Sequence, residues 1–151
     1  MMISNNIDSN QEIATLVSSE SSSNTEQDFA LAFDGVDDYV SIPHSSNLSL
    51  NNFTVEAWIN PNQIKGDWQP LITKEASNGT ARNYGLFIVP NEMRIHFVFL
   101  DIYGVWRYDY SVKSLQLNQW NHIAMTYDGN KFNFYLNGVL DKSLNFWRGD
   151  N

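Results

Sequence analysis

The sequence predicts an all-β fold, an antiparallel sandwich or jelly roll, preceded by a disordered leader. Three observations carry this prediction. From residue 29 onward apolar side chains recur at every second position in short runs, the signature of strands with one buried face. Turn-forming residues stand between those runs. All 21 aromatic residues (9 Phe, 7 Tyr and 5 Trp) lie beyond residue 28, so the material for a core is confined to one part of the chain.

Residues 1–28 hold seven serines, five acids (Asp8, Glu12, Glu20, Glu26 and Asp28) and no Lys, Arg or aromatic residue. Such a segment buries too little apolar area to offset its chain entropy and is expected to be disordered. Its apolar island, Ile13-Ala14-Thr15-Leu16-Val17, has room for a short transient helix. Strand patterns then follow in order. Phe29, Leu31 and Phe33 share a face. Phe53, Val55, Ala57 and Ile59 face away from Thr54, Glu56 and Trp58. Tyr84, Leu86 and Ile88 alternate with Gly85, Phe87 and Val89. Met93, Ile95, Phe97 and Phe99 alternate with Arg94, His96 and Val98. Trp106, Tyr108, Tyr110 and Val112 alternate with Arg107, Asp109 and Ser111. Phe132, Phe134 and Leu136 alternate with Asn133, Tyr135 and Asn137. No stretch keeps a 3.6-residue apolar period long enough for a helix. Asn137-Gly138 supplies the positive φ angles of a type I′ hairpin, Asp128-Gly129-Asn130 a turn one residue longer, and Pro90-Asn91-Glu92 another break. No repeat of fixed period points to a propeller.

Composition narrows the function. A length of 151 residues favours one domain, and 42% apolar content fills a sizeable core. With 9 basic and 17 acidic residues the net charge is −8. Beyond the leader it is 9 − 12 = −3, since five of the acids precede residue 29. Neither balance suits a nucleic-acid binder, which needs clustered Lys and Arg. The absence of cysteine excludes a disulfide scaffold, a thiolate metal cluster and a Cys nucleophile. No apolar run approaches the roughly 18 residues that span a bilayer. The first residues show neither the basic start nor the apolar stretch of a secretory signal.

Several pieces resemble, in order, the laminin-G-like jelly roll of the concanavalin-A-like lectin/glucanase superfamily. They are Ala32-Phe33-Asp34-Gly35-Val36-Asp37-Asp38-Tyr39-Val40, Phe53-Thr54-Val55-Glu56-Ala57-Trp58-Ile59-Asn60-Pro61, Leu71-Ile72-Thr73-Lys74, Trp120 to Gly129 (WNHIAMTYDG), and Tyr135-Leu136-Asn137-Gly138. After the Asn137-Gly138 turn 13 residues remain, and the family's closing strand is not among them. The resemblance therefore implies an incomplete domain over residues 29–151, a fragment of a longer protein. Its sheet edges would be open to self-association.

Three chemistries follow. Some members of the superfamily hydrolyse glycosides with paired carboxylates on one strand face. Glu56 and Asp109 have no such partner nearby, so the chain is expected not to be an enzyme. The resemblance implies a structural Ca²⁺ held by Asp34 and Asp38, beside Gly35 and Asp37. The alternative is a polar turn, since Asp and Gly favour turns for backbone reasons alone. Zinc is not expected, because His44, His96 and His122 lack ligand spacing; His122 reads as a hydrogen-bonded structural histidine. Carbohydrate binding would use flat aromatic rings, and Trp68, Tyr103, Trp106, Tyr108 and Tyr110 are the ligand-binding candidates. For the stripe Trp106, Tyr108 and Tyr110, packing into the sandwich is the first expectation and a sugar platform the second. In the platform case Arg107 and Asp109 face the other way. Trp68 and Tyr103, nearer turns, are surface candidates.

The function that emerges is a non-catalytic module recognising carbohydrate or a protein surface. By resemblance it belongs to a larger extracellular or cell-surface protein. The alternatives are a structural or adhesion spacer and, least supported, a glycan-active enzyme.

Overall fold

The computed structural model describes residues 16–18, 29–75 and 82–146. These form ten strands: β1 (Leu16–Ser18), β2 (Phe29–Leu31), β3 (Phe53–Ile59), β4 (Gln69–Glu75), β5 (Arg82–Ile88), β6 (Ile95–Leu100), β7 (Trp106–Tyr110), β8 (Asn121–Tyr127), β9 (Lys131–Leu136) and β10 (Val139–Asn145). One 3-10 turn, Ser46–Leu48, lies between β2 and β3. Two four-stranded sheets carry the fold, ordered β10-β9-β8-β3 and β4-β5-β6-β7, and every strand pair is antiparallel. β1 and β2 make a separate two-stranded ribbon.

The sheets meet through the period-two aromatic and aliphatic residues. Phe97 of β6 stacks on Phe132 of β9 with ring centroids 4.3 Å apart, and Phe99 stacks on Phe132 at 5.3 Å. Phe53 reaches Phe99 and Tyr84 across the interior at 5.7 and 5.5 Å. Phe53, Val55, Leu86, Ile95, Phe97, Phe99, Ile123, Met125, Phe132 and Phe134 are all buried, while Thr54, Glu56 and Trp58 are exposed. The alternation read from sequence holds here because each inner face must fill a space about 10 Å thick with close-packed side chains. Burial pushes the Tyr84 phenol above its ordinary pKa.

The turns behave as their residues dictate. Asn137 (φ 52°) and Gly138 (φ 74°) both take the left-handed conformation that a two-residue hairpin requires between β9 and β10. Between β8 and β9 the Asp128 carboxylate accepts the backbone N–H groups of Lys131 and Asn130. Those bonds hold its carboxyl below the usual range.

Two expectations change. The disordered reading of residues 1–28 lies outside the described residues except at Leu16–Ser18. There the chain is a β-strand paired with Phe29–Leu31, not a helix or free coil. The first period-two run also stays out of the two main sheets: Leu31 is exposed and Phe33 half-buried. A strand of three residues is too short for alternation to specify a buried face.

Candidate functional site

The β7 stripe faces outward. Cross-strand partners share a sheet face, and the register pairs Val98 with Tyr108, His96 with Tyr110, and Leu100 with Trp106. Tyr108 is 66% and Trp106 44% exposed. Packing of this stripe into the core, the first expectation, is therefore corrected. The opposite parity, Phe97 against Asp109 and Phe99 against Arg107, is the inner one.

Polar residues are tolerated on that inner parity because β7 is an edge strand whose polar groups find partners. Asp109 meets Lys142 of β10 at 2.7 Å, and the Arg107 guanidinium lies over the Phe146 ring, 4.7 Å from its centroid. Arg107 also donates from Nε to Asp101 Oδ2 at 2.8 Å. The Asp101 side chain is buried, and its Oδ1 accepts the N–H groups of Tyr103 and Val105 at 2.9 and 2.8 Å. Burial alone would raise the Asp101 carboxyl. The Val105 N–H, the Arg107 guanidinium and the Tyr103 N–H outweigh it and hold the carboxyl below its usual range. The β6–β7 hairpin is thus tied at its tip and along its inner side.

On the outer side, three strands and a loop bring rings together. The loop before β4 places the Trp68 indole 5.1 Å from the His96 ring and 6.3 Å from the Phe87 ring, both edge to face. His96 lies 4.9 Å from the Tyr110 ring and 6.1 Å from the Tyr108 ring. The Arg94 guanidinium sits 5.4 Å from the Tyr110 centroid and donates to Glu92 at 2.6 Å. Phe87 is buried beneath the cluster, and Trp68 remains 48% exposed. Of the five residues singled out from sequence, the structure gathers Trp68, Tyr108 and Tyr110 around His96. Trp106 lies further along the same strand face, and Tyr103 sits half-exposed in the hairpin turn beyond it.

Sequence reasoning missed His96 and Phe87 as members of this group. The available signal was their parity: each stands opposite the core residues of its own strand. Chemically, the patch offers flat apolar ring faces bordered by phenol hydroxyls and an Arg–Glu pair. That suits a ligand with apolar faces and hydroxyl edges.

The Asp34 loop is a separate feature. Asp34, Asp37 and Asp38 bring one carboxylate oxygen each within 4.8 Å of one another. Asp38 Oδ2 accepts the Asp34 N–H at 2.9 Å, and Asp34 Oδ1 accepts the Val36 N–H at 2.7 Å. The Lys65 ammonium donates to the Gly35 carbonyl. Gly35 has φ 75°, and a Cβ there would collide with Lys65 Nζ. Carboxylates are the hard oxygen donors Ca²⁺ takes, but three fall short of its roughly six to eight oxygens, and the Gly35 carbonyl already accepts the Lys65 ammonium. The same oxygens also satisfy a self-contained turn.

Two stacked antiparallel sheets around an aromatic interior, with a ring-lined outer face, define a jelly-roll sandwich of the lectin-like class. The chain belongs to the concanavalin A-like lectin/glucanases superfamily: the superfamily's laminin G family model matches residues 34–148. Comparison with curated proteins found no match. Among solved structures, the chain is similar to a Bacteroides ovatus protein provisionally described as carbohydrate binding. The two are 22% identical, over 64% of this chain and 26% of that one, with a TM-score of 0.48. It is similar to the binding domain of Paraclostridial Mosquitocidal Protein 1 at 17% identity, over 65% and 26%, with a TM-score of 0.49. It is also similar to an S-layer domain-containing protein of Clostridium thermocellum at 27% identity, over 78% and 54%, with a TM-score of 0.44. The chain spans about a quarter of the length of the first two. Among the described residues no helix is long and apolar enough to cross a membrane.

Proposed function

We propose that the chain is a non-catalytic recognition module that binds carbohydrate through the outer face of the β4–β7 sheet. One observation carries the reading: Trp68, Tyr108 and Tyr110, from a loop and an edge strand, converge on His96 on an exposed face. Stacking on such rings orients a pyranose by its apolar face, while the phenol hydroxyls and the Glu92–Arg94 pair address its hydroxyl edge. The module works as part of a larger protein outside the cell or on its surface. A protein surface is the second reading, favoured by Ile102, Val105 and Val112, which are exposed at the ends of β7.

Affinity electrophoresis through gels containing soluble neutral polysaccharides tests this. Each stacked ring is worth about 0.5–1.5 kcal/mol, so the double variant W68A/Y108A should bind roughly five- to 150-fold more weakly. Retardation of the double variant equal to that of the unmodified chain refutes the platform. Retardation of neither supports a spacer, and release of reducing ends refutes a non-catalytic role.

A further inference from the structure

The opposite outer face, on the β10-β9-β8-β3 sheet, carries a different arrangement. Trp58 is 63% exposed, and its ring centroid lies 5.0 Å from that of its cross-strand partner His122. Glu56 Oε2 is 3.4 Å from His122 Nε2. Next along the sheet, Glu56 stands opposite Ala124, and Ala124 opposite Tyr135, so a methyl group floors the middle of the face. At the far end Asn52, Thr54, Thr126, Asp128, Lys131 and Asn133 border an open depression of ≈ 430 Å³. Trp58 and Thr54 are four residues apart on one strand face, a span of about 13 Å at the rise of a β-strand.

The chemistry of this track selects its occupant. One end is a flat apolar ring. The other offers amides and hydroxyls, groups that both donate and accept. Its charges are of both signs, Glu56 and Asp128 against Lys131, with the His122 ring beside Glu56. A polyanion would gain nothing from such a balance. An apolar peptide would cover the Thr54 and Thr126 hydroxyls and the Asn52 amide without offering them hydrogen bonds. A neutral molecule with one apolar ring face and many hydroxyls satisfies both ends. We propose that this face is a second carbohydrate site, separate from the Trp68 face. It takes a neutral oligosaccharide along β3 and β8, with one sugar ring on the Trp58 indole and the hydroxyls of the following units in the depression. With recognition faces on both sides of the sandwich, one chain can bridge two glycan strands.

The test uses the chain carrying W68A/Y108A, which weakens the first face, titrated with cellotriose, xylotriose, laminaritriose and maltotriose and followed by ¹⁵N–¹H NMR. At least one trisaccharide should shift the amides of Thr54, Glu56, Ala124 and Thr126. Adding W58A should weaken that binding about two- to tenfold, and N133A should weaken it measurably, with circular dichroism unchanged. Absence of such shifts at millimolar trisaccharide, affinity indifferent to W58A, or binding of heparin alone overturns the proposal. Binding by the unmodified chain that vanishes in W68A/Y108A overturns the second site and leaves the first standing. Binding untouched by W68A/Y108A but lost in W58A does the reverse.

Discussion

Asp101 is the residue on which the β6–β7 hairpin turns, and its replacement separates two kinds of bond. Its Oδ1 accepts two backbone N–H groups at the tip, and its Oδ2 accepts the Arg107 guanidinium at 2.8 Å, with the aspartate side chain fully buried. In D101N the amide oxygen keeps both backbone bonds, but an NH₂ group now faces Arg107. One charge-assisted bond is lost, about 1.5–3 kcal/mol. In D101A the two backbone donors are stranded as well, each about 0.5–1.5 kcal/mol where water reaches the turn, and the cost rises to about 3–5 kcal/mol. Urea unfolding followed by tryptophan fluorescence measures both. The carboxyl pKa is depressed in the folded state, so its contribution is complete above the unfolded value near about 4 and is lost as pH falls through the folded value. D101N should abolish that part of the acid dependence. A D101N chain as stable as the unmodified one at neutral pH, with the same acid profile, refutes the reasoning.

Two further outcomes are expected. F97A removes a fully buried ring stacked 4.3 Å from Phe132 and should cost about 3–5 kcal/mol, whereas Y108A, on the exposed face of the neighbouring strand, should stay within about 0.5 kcal/mol; equal losses in urea unfolding would place the core on the wrong parity. Three carboxylates within 4.8 Å repel one another, so millimolar Ca²⁺ should raise the melting temperature relative to EDTA, and D34N or D38N should remove the rise; identical melting in Ca²⁺ and EDTA refutes a calcium-holding loop.

Much of this molecule follows from residue order alone. Phe53, Val55, Phe97, Phe132 and Phe134 had to be buried, because alternation leaves each strand only one apolar face and water excludes it. Asn137-Gly138 had to turn the chain, because both positions need a positive φ. On β7 the alternation showed that its two faces differ but not which was inside. Tyr108 and Asp109 are adjacent, and either parity would have fitted the pattern. The packing decided it: Lys142 and Asp101, from β10 and the end of β6, partner Asp109 and Arg107 on the inner parity, leaving the aromatic row outside. Likewise no local pattern brings Trp68 to His96, or pairs Leu16–Ser18 with Phe29–Leu31. Those contacts join parts of the chain 11 or more residues apart, and only the register of the strands sets their distance.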